Sequence, residues 1–251
     1  MAEGVERYLI EKIREDGAIH MTLLDPEKTV SNDCVVVARE AEMAGTAAIM
    51  VGGSTLASNS DLDDAVKAIK ASVSVPVLLF PNNITGVSRY ADAIWFMSLL
   101  NSSNTYYIID VQALTARLVR SYGLETLSLG YIIVGDGGAA GFIGNARPIP
   151  HDHPELALGY SLAAEALGMH FVYLEAGSGA RKPVPPEMIR LVKEHLSVPL
   201  VVGGGIRDGV TAREAVEAGA DIIVTGTIVE EADEVRERIY EIVANIKSVR
   251  R

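Results

Sequence analysis

The sequence predicts one (β/α)8 barrel over residues 1–251, and three kinds of observation support that fold class. Eight short apolar runs recur along the chain, and most of them precede a segment with helical periodicity. The runs are continuously apolar, which is typical of parallel strands buried on both faces. The first run ends in Leu-Asp-Pro, where an open, doubly wound sheet would favour a glycine-rich turn. About 250 residues is also the usual length of one barrel.

The predicted elements alternate between strand and helix. Strands are predicted at residues 18–24, 47–52, 75–80, 93–99, 128–134, 171–176, 200–203 and 221–225. The clearest helices are predicted at 61–71, 186–195 and 230–249, where most apolar side chains recur at helical spacing. Only about a dozen residues separate the third strand from the fourth, and they include Pro81 and Gly86. We therefore expect the third helix to be missing or replaced by a loop.

Composition and charge exclude several classes of protein. The chain has 22 basic and 33 acidic residues, a formal net charge of −11, which argues against wrapping nucleic acid. Its single cysteine, Cys34, excludes an intramolecular disulfide and is predicted to be a small buried side chain. No apolar stretch reaches the roughly 18–20 residues that cross a bilayer, and residues 1–16 do not resemble a signal peptide. We expect a cytoplasmic protein without a transmembrane segment, compatible with transient contact at a membrane surface.

The C-terminal ends of the strands are where a barrel places its active site. Strand 7 ends in Gly203-Gly204-Gly205 and strand 8 in Gly226-Thr227. Glycines let backbone N–H groups approach an anion closely, and the loops after strands 7 and 8 are the usual phosphate site of this architecture. The alternative is that these glycines only make tight turns. Because both loops carry the pattern, the sequence predicts a phosphate cradle.

Strand 6 adds a carboxylate at the same end. Tyr173, Glu175 and Gly177 share one parity, whereas Leu174 has the parity that suits packing beneath helices. Glu175 is therefore predicted to point into the barrel mouth beside the phosphate cradle. There it acts as a general base or holds a hydroxyl, or it is a structural carboxylate paired with a cation such as Arg181.

Asp25 and Ser54 end neighbouring strands and form a candidate metal site. One carboxylate and one hydroxyl suit Mg²⁺, which takes few protein ligands and completes its shell with water and phosphate oxygens. The alternative for Asp25 is a turn cap before Pro26.

Three further features point less clearly to chemistry. His151 and His153 resemble a metal pair, but a helix is expected to begin at Pro154, which favours a capping role. His20 fits a hydrogen-bonded histidine in the core. The glycine-rich segment 135–141 lacks the spacing of a dinucleotide fingerprint and opens no immediate helix, so we interpret it as a loop over the barrel mouth.

Five segments, taken together, carry a family resemblance. They are residues 20–28 (HMTLLDPEK), 52–54 (GGS), 173–179 (YLEAGSG), 202–207 (VGGGIR) and 226–227 (GT). In combination they closely resemble the geranylgeranylglyceryl phosphate synthase family, which is similar to archaeal ether-lipid enzymes and to bacterial heptaprenylglyceryl phosphate synthases. The match spans strand 1 to strand 8. Segment 173–179 is its most discriminating part, since many phosphate-binding barrels share the triple-glycine loop.

The resemblance implies a prenyltransferase. Members of the family join an isoprenoid diphosphate to the 3-hydroxyl of sn-glycerol 1-phosphate and release diphosphate, using Mg²⁺. By matching positions, Asp25 and Ser54 would contact the metal, and Glu175 and Tyr173 would be catalytic, with Glu175 taking the hydroxyl proton. The residues that would hold glycerol phosphate are Tyr173, Leu174, Glu175, Ala176, Gly177, Ser178, Gly179, Gly204, Gly205, Gly226 and Thr227.

The prenyl donor implied by the resemblance is geranylgeranyl diphosphate. Segments 23–25 and 146–150 look more like the archaeal-type members, in which this transfer is the first ether step of membrane phospholipid biosynthesis. A longer heptaprenyl donor is the alternative. The missing third helix would leave a groove for the tail. Trp95 would line or close this groove; the alternative is that Trp95 is simply a core residue. The family habit suggests a homo-oligomer, either dimer or hexamer.

Two other classes of protein stay open. A different phosphate-binding barrel, such as a sugar-phosphate isomerase or aldolase, would use the same glycines. An aldolase needs a Schiff-base lysine at a strand end, and the predicted strand ends carry none. A non-catalytic sensor of a phosphometabolite would retain the glycines without needing both Glu175 and Asp25.

Overall fold

The computed structural model describes residues 4–27, 31–53, 59–226 and 235–249. Its eight parallel strands form a closed barrel in which each strand pairs with the next and β8 pairs with β1. The predicted fold class is thereby confirmed. The strands are β1 (Ile19–Leu24), β2 (Ala48–Val51), β3 (Val77–Leu79), β4 (Ala93–Leu99), β5 (Glu125–Ile133), β6 (Phe171–Glu175), β7 (Leu200–Gly203) and β8 (Ile222–Thr225).

The helices are α1 (Val5–Asp16), α2 (Ser31–Met43), α3 (Asn59–Lys70), α4 (Val111–Tyr122), α5 (Gly138–Ile143), α6 (Pro154–Ala166), α7 (Pro186–His195), α8 (Gly209–Ala218) and α9 (Val235–Ser248). Most of the helices pack around this barrel, whereas α1 packs Val5 and Leu9 against its interior residues. Residues 230–234 of the last predicted helix lie outside the described residues. Within the described ranges, no helix is both long and apolar enough to cross a membrane.

The predicted strand boundaries agree closely with the structure except at β5, which begins at Glu125 rather than at residue 128. Its first two residues are polar and incompletely buried, and they pair in register with Ala93 and Ile94 of β4. The strand therefore begins before its hydrophobic pattern does, because pairing with β4 extends it.

The side of the barrel between β3 and β4 is incomplete. Residues 80–92, all of them described, contain one 3₁₀ turn, Ile84–Gly86, and no α-helix. This confirms that the helix expected between β3 and β4 is missing; α3 lies before β3 and is present. β3 ends at Leu79, which pairs in register with Ile94, so the rest of β4 has no registered partner on β3. Pro81 follows closely, and proline cannot donate to a strand ladder.

The core has two layers, and strand parity assigns residues to them. Phe171 and Tyr173 pack inside the barrel with Trp95 and other interior residues. Val172 and Leu174, of the opposite parity, pack outside it against the helices. The orientation predicted for this strand is confirmed. Cys34 is also fully buried, in the outer layer.

Candidate active site

The ends of β6, β7 and β8 surround a pocket at the C-terminal end of the barrel. Its open volume is about 430 Å³. Of the residues predicted to bind substrate, those that line this pocket are Tyr173, Glu175, Ser178, Gly179, Gly204, Gly205 and Gly226. Leu174 and Ala176 instead pack in the outer core, and Gly177 lies beside the Glu175 carboxylate. Thr227 lies outside the described residues.

Two glycines after β7 place bare backbone against this pocket. Gly204 has φ +80° and Gly205 has φ +72°, a backbone conformation that residues other than glycine rarely adopt. A Cβ on Gly204 would lie 2.4 Å from Glu175 Oε1 and 2.5 Å from Gly177 N. No side chain fits between these groups, so the loop presents its peptide groups directly, as an anion cradle requires.

Glu175 is buried at the end of β6 and has three polar neighbours. Its Oε1 accepts a hydrogen bond from Gly177 N at 2.6 Å. The hydroxyls of Tyr131 and Tyr173 lie close enough to the same carboxylate to stabilise its charge. Within the described residues it forms no ion pair with Arg181, whose side chain is exposed, whereas Glu175 is buried. The structural alternative of a Glu175–Arg181 pair is therefore wrong.

Burial dominates the acid–base behaviour of this cluster. Loss of water raises the pKa of Glu175, while the hydrogen bond from Gly177 and the nearby Tyr173 and Tyr131 hydroxyls oppose that rise. Burial also raises the pKa values of Tyr131 and Tyr173 well above their usual value, and the nearby Glu175 charge raises them further. Both phenols therefore stay protonated as donors. A carboxylate with a raised pKa is a better proton acceptor than an exposed one.

The glycine-rich segment 135–141 lies against this cluster. A Cβ on Gly177 would be 2.6 Å from the carbonyl carbon of Gly137. The prediction that the segment opens no helix was wrong, because α5 begins at Gly138. Gly135, Gly137 and Gly138 all have positive φ and reverse the chain, after which two alanines favour a helix. The segment does not line this pocket itself; Gly138 lies against the backbone of Gly177 and Ser178 beside it.

Asp25 lies at the mouth of the barrel beside the end of β2. It is buried, and its Oδ1 accepts a hydrogen bond from Glu27 N at 3.1 Å, so the predicted turn cap is present. A Cβ on Gly53 would be 2.4 Å from the carboxylate oxygens, which places the acid directly against that glycine. Ser54, the other predicted metal ligand, lies outside the described residues. Across the part of the chain that is described, no three His, Cys, Asp or Glu side chains cluster as a metal site.

A second, larger cavity opens on the incomplete side of the barrel. Its open volume is about 820 Å³, and most of its wall is apolar. One end touches Gly53, Phe80 and Tyr131, next to the pocket at the ends of β6, β7 and β8, which we call the polar pocket. The other end touches residues on the outer face of β4 and on α4, among them Phe96 and Val111. The cavity occupies the side of the barrel where the third helix is missing.

Trp95 is both a core residue and part of the cavity wall, the two alternatives that the sequence left open. Its side chain is fully buried and packs edge-to-face on Phe171 inside the barrel, with ring centroids 5.0 Å apart. It also forms part of the cavity wall. It is a core residue whose surface borders the cavity.

Aromatic rings separate the two cavities. Phe80 packs edge-to-face on Tyr131 at 5.6 Å and stacks on Tyr173 at 5.9 Å. Tyr131 lines the apolar cavity, and its hydroxyl reaches Glu175 in the polar pocket. The sequence analysis missed Phe80 and Tyr131. Tyr131 pairs in register with Tyr173 across β5 and β6, so a predicted register between those strands could have indicated it.

His20 supports the polar pocket from outside the barrel. Its Nε2 lies 2.9 Å from Thr225 Oγ1, one residue before Gly226, and its Nδ1 lies 3.0 Å from Thr46 Oγ1. Burial lowers its pKa to about 3, so the ring is neutral at ordinary pH. The prediction of a hydrogen-bonded core histidine is confirmed.

Among the described residues, His151 and His153 join no cluster of three metal-binding side chains. α6 begins at Pro154 as expected. The capping role was wrong, because the His153 side chain makes no capping bond in the described chain and instead meets Glu155 Oε1 at 2.9 Å. The proline leaves one fewer backbone N–H to cap.

Comparison with known proteins gives a consistent result. The PcrB family matches residues 10–247. A geranylgeranylglyceryl phosphate synthase from Thermofilum pendens is 55% identical over 97% of this chain and 95% of its own length. The synthase of the same name from Methanothermobacter thermautotrophicus is 51% identical over 98% of this chain and 99% of its own.

Solved structures extend the comparison to three dimensions. The (S)-3-O-geranylgeranylglyceryl phosphate synthase of Thermoplasma acidophilum, in complex with its substrate sn-glycerol-1-phosphate, superposes with a TM-score of 0.95. It is 42% identical, and the match covers 98% of this chain and 99% of that one. A thiamine phosphate pyrophosphorylase from Pyrococcus furiosus, at 16% identity and a TM-score of 0.63 over 93% and 98% of the two chains, shares the fold alone.

Proposed function

The chain belongs to the PcrB family, and from that premise we propose that it transfers a geranylgeranyl group to the 3-hydroxyl of sn-glycerol 1-phosphate. The reaction forms an ether bond and releases diphosphate. The observation that carries the proposal is the contact between two unlike cavities. A small pocket with bare glycine backbone and a buried carboxylate shares an aromatic wall with a larger cavity lined mostly by apolar side chains. That pairing suits one small anionic substrate and one hydrocarbon substrate.

The polar pocket holds the glycerol phosphate in this proposal. The backbone of Gly204, Gly205 and Gly226 surrounds the phosphate, since no side chain intervenes there. The related structure from Thermoplasma acidophilum supports this assignment, because it contains sn-glycerol-1-phosphate. Fixing the phosphate places the glycerol hydroxyl near Glu175, which is catalysis by positioning.

Glu175 is the base in the proposed mechanism, and Gly177, Tyr131 and Tyr173 support it. Its carboxylate takes the proton of the 3-hydroxyl as that oxygen bonds to the first carbon of the prenyl chain. The bond between this carbon and the diphosphate oxygen breaks with its electron pair on the diphosphate. Gly177 N donates to the carboxylate and holds its orientation, while the two tyrosine hydroxyls stabilise its charge.

Mg²⁺ is proposed to bind beside Asp25 and Ser54. The fit rests on the Asp25 carboxylate, which lies buried at the barrel mouth against Gly53, a glycine that also borders the apolar cavity. A hard cation with few protein ligands suits one carboxylate and one hydroxyl. When bound, Mg²⁺ neutralises charge on the diphosphate and makes it a better leaving group. The chain's own contribution is to hold Asp25 in this position through its turn bond to Glu27.

The apolar cavity receives the prenyl tail in this proposal. Its walls are mostly apolar side chains, among them Phe80, Phe96 and Val111, which suit a hydrocarbon chain. Geranylgeranyl diphosphate is the proposed donor, supported by the names of the relatives, and heptaprenyl diphosphate is the alternative. The cytoplasmic location and a homo-oligomeric state stay predictions.

A transfer assay tests the proposed function. Purified protein is incubated with labelled sn-glycerol 1-phosphate and prenyl diphosphates from C10 to C35, with Mg²⁺ or with EDTA. We expect label in the organic phase, dependent on Mg²⁺ and greatest with the C20 donor. Asp25→Asn, which retains an oxygen for the turn bond, should need a higher Mg²⁺ concentration for half-maximal rate. Absence of transfer with every donor, in folded protein that binds glycerol phosphate, would favour a sensor or another phosphate-binding barrel enzyme.

A further inference from the structure

The outer wall of the apolar cavity contains one turn of π-helix, Tyr106–Asp110, directly before α4. A π-helical turn inserts an extra residue into the helix, is rare, and occurs often at functional sites. Here Tyr107 from the turn and Val111 from the start of α4 both line the cavity. The turn follows the half of β4 that has no registered partner on β3.

Two buried side chains fasten this turn to β4. Ser98 Oγ, on β4, donates to the carbonyl of Ile108 at 2.6 Å. Gln112 Nε2, on α4, donates to the carbonyl of Met97 on β4 and to that of Tyr107 at 3.3 Å. Ser98 and Gln112 are each 8% exposed. Together they bond two carbonyls of the turn and one carbonyl in the part of β4 that has no partner on β3.

The orientation of the Gln112 amide follows from its neighbours. Both groups that it meets on one side are carbonyl oxygens, so the nitrogen must face them. The Gln112 Oε1 atom is then buried, and the described residues offer it no hydrogen-bond donor. Gln112 also forms part of the cavity wall.

An unpaired buried carbonyl argues against a purely stabilising role. Leaving such a group without a donor costs about as much free energy as a hydrogen bond contributes. An apolar side chain of the same length would pack better against a hydrocarbon. What the amide adds at this position is the pair of donor bonds that fix the turn.

We propose that Ser98 and Gln112 are positioning residues that hold the π-helical turn Tyr106–Asp110 as a wall of the tail cavity and so set which donor length is preferred. The inference rests on the proposed function, because it assigns the prenyl tail to this cavity. Neither side chain reacts. They act indirectly, by fixing the position of the cavity wall.

The test measures kcat/KM for C15, C20, C25 and C30 prenyl diphosphates at saturating glycerol phosphate. We expect Ser98→Ala, which loses one hydrogen bond, to reduce the preference for C20 over C30 by about fivefold, and Gln112→Met, which loses two, to reduce it by at least as much. Ser98→Thr retains the hydroxyl and should retain the wild-type preference. The KM for glycerol phosphate should not change, because the polar pocket is untouched.

Ser161→Ala is the matched control. Ser161 is also buried, and its Oγ donates to the carbonyl of Ala157 at 2.8 Å, on α6 and away from the cavity. A general loss of stability would lower activity with all donors alike in every variant. If Ser98→Ala and Gln112→Met fold and keep the wild-type donor preference, the inference is wrong. If wild-type protein transfers no prenyl group at all, the proposed function fails instead.

A second measurement uses the unaltered protein and does not depend on how the variants fold. Hydrogen–deuterium exchange is followed with and without a non-reactive C20 thiolodiphosphate. The inference predicts slower exchange across residues 106–112 when the analogue binds. Binding without any change in that segment would contradict it.

Discussion

The two halves of this barrel are built differently. From β6 to β8 the strands pair in continuous register, and glycines bring backbone to within contact of the Glu175 carboxylate. Between β3 and β4 only two residue pairs are in register, and the helix expected there is missing. Side-chain hydrogen bonds hold β4 where it has no partner on β3. We call the first the closed half, because its wall is complete, and the second the open half, because its wall lacks a helix; they hold the cavities of about 430 Å³ and about 820 Å³.

The difference follows from what each substrate demands of a protein. Hydrogen bonds to a phosphate are directional, so their donors need fixed positions within about 3 Å of the anion. Burial of a hydrocarbon is non-directional and depends on area. A barrel can therefore give up a helix where the tail lies, but not the glycine loops where the phosphate lies.

Glu175→Gln should have the largest effect, because it removes the base and leaves the shape of the pocket. We expect turnover to fall by roughly 100- to 10,000-fold, as for loss of a general base. Glycerol phosphate binding, measured by calorimetry, should persist. Glu165→Gln is the control, since Glu165 lies on α6 and bonds to Ser197. Unchanged turnover in Glu175→Gln would remove Glu175 from the mechanism.

The pH dependence of turnover carries the same information. Because burial raises the pKa of Glu175, the acidic limb of the rate profile should lie above the ordinary glutamate pKa. Activity needs the ionised form and rises through that limb. Stability has the opposite sign, because the folded state holds the Glu175 proton more tightly than the unfolded state. That contribution is present below the ordinary pKa and is lost as pH rises through the raised one.

Gly204→Ala tests the closed half. A Cβ there would clash with Glu175 and Gly177, and the positive φ adds strain. We expect kcat/KM for glycerol phosphate to fall by about 10- to 100-fold, with the donor preference unchanged. Gly123→Ala is the matched control, since Gly123 has φ +69° but no atom within 4 Å of the added Cβ. Equal losses in both variants would point to strain alone.

Phe96→Ala tests the open half. This side chain lines the apolar cavity and is partly buried. Losing its apolar surface should raise the KM for the C20 donor by about fivefold to tenfold and leave the KM for glycerol phosphate unchanged. Tyr240→Ala, at an exposed aromatic of α9, controls for general destabilisation. A rise in the KM for glycerol phosphate instead would contradict the separation of the two halves.

His20→Gln should change stability rather than turnover at neutral pH. The folded pKa of about 3 lies below the usual value of 6.5, so between these values the unfolded chain binds more protons. Wild-type stability should therefore fall as pH drops from 6.5 toward 3, with this residue contributing about 1.4 kcal/mol per pH unit. Urea unfolding at several pH values should show that slope reduced in His20→Gln. His195→Gln, at an exposed histidine, should leave it unchanged.

The closed half could be predicted from the sequence more fully than the open half. Alternating parity on β6 indicated that Glu175 points inward, and the glycines after β7 and β8 marked the pocket. These signals are local, because each depends on neighbours a few residues away along the chain. Pro81 and the short interval around it likewise indicated the missing helix.

The remainder depends on contacts that the sequence pattern does not contain. Tyr131 meets Glu175 only because β5 and β6 pair in one register, and register is a property of two strands. Gln112 reads as an ordinary helical residue, since a π-helical turn leaves no clear periodicity. The start of α5 at Gly138 was also missed, because glycines at a helix start look like a loop.

The central claim is that the two cavities hold the two substrates, with Glu175 in the wall of the smaller one and the rings of Phe80, Tyr131 and Tyr173 at their junction. A crystal structure with sn-glycerol 1-phosphate and a non-reactive C20 thiolodiphosphate would test it most directly. The account predicts phosphate density against Gly204 and Gly205, with the tail passing Phe80 and Tyr131 into the gap between β3 and β4. A tail that leaves the barrel mouth by any other route, with that gap empty, would contradict it.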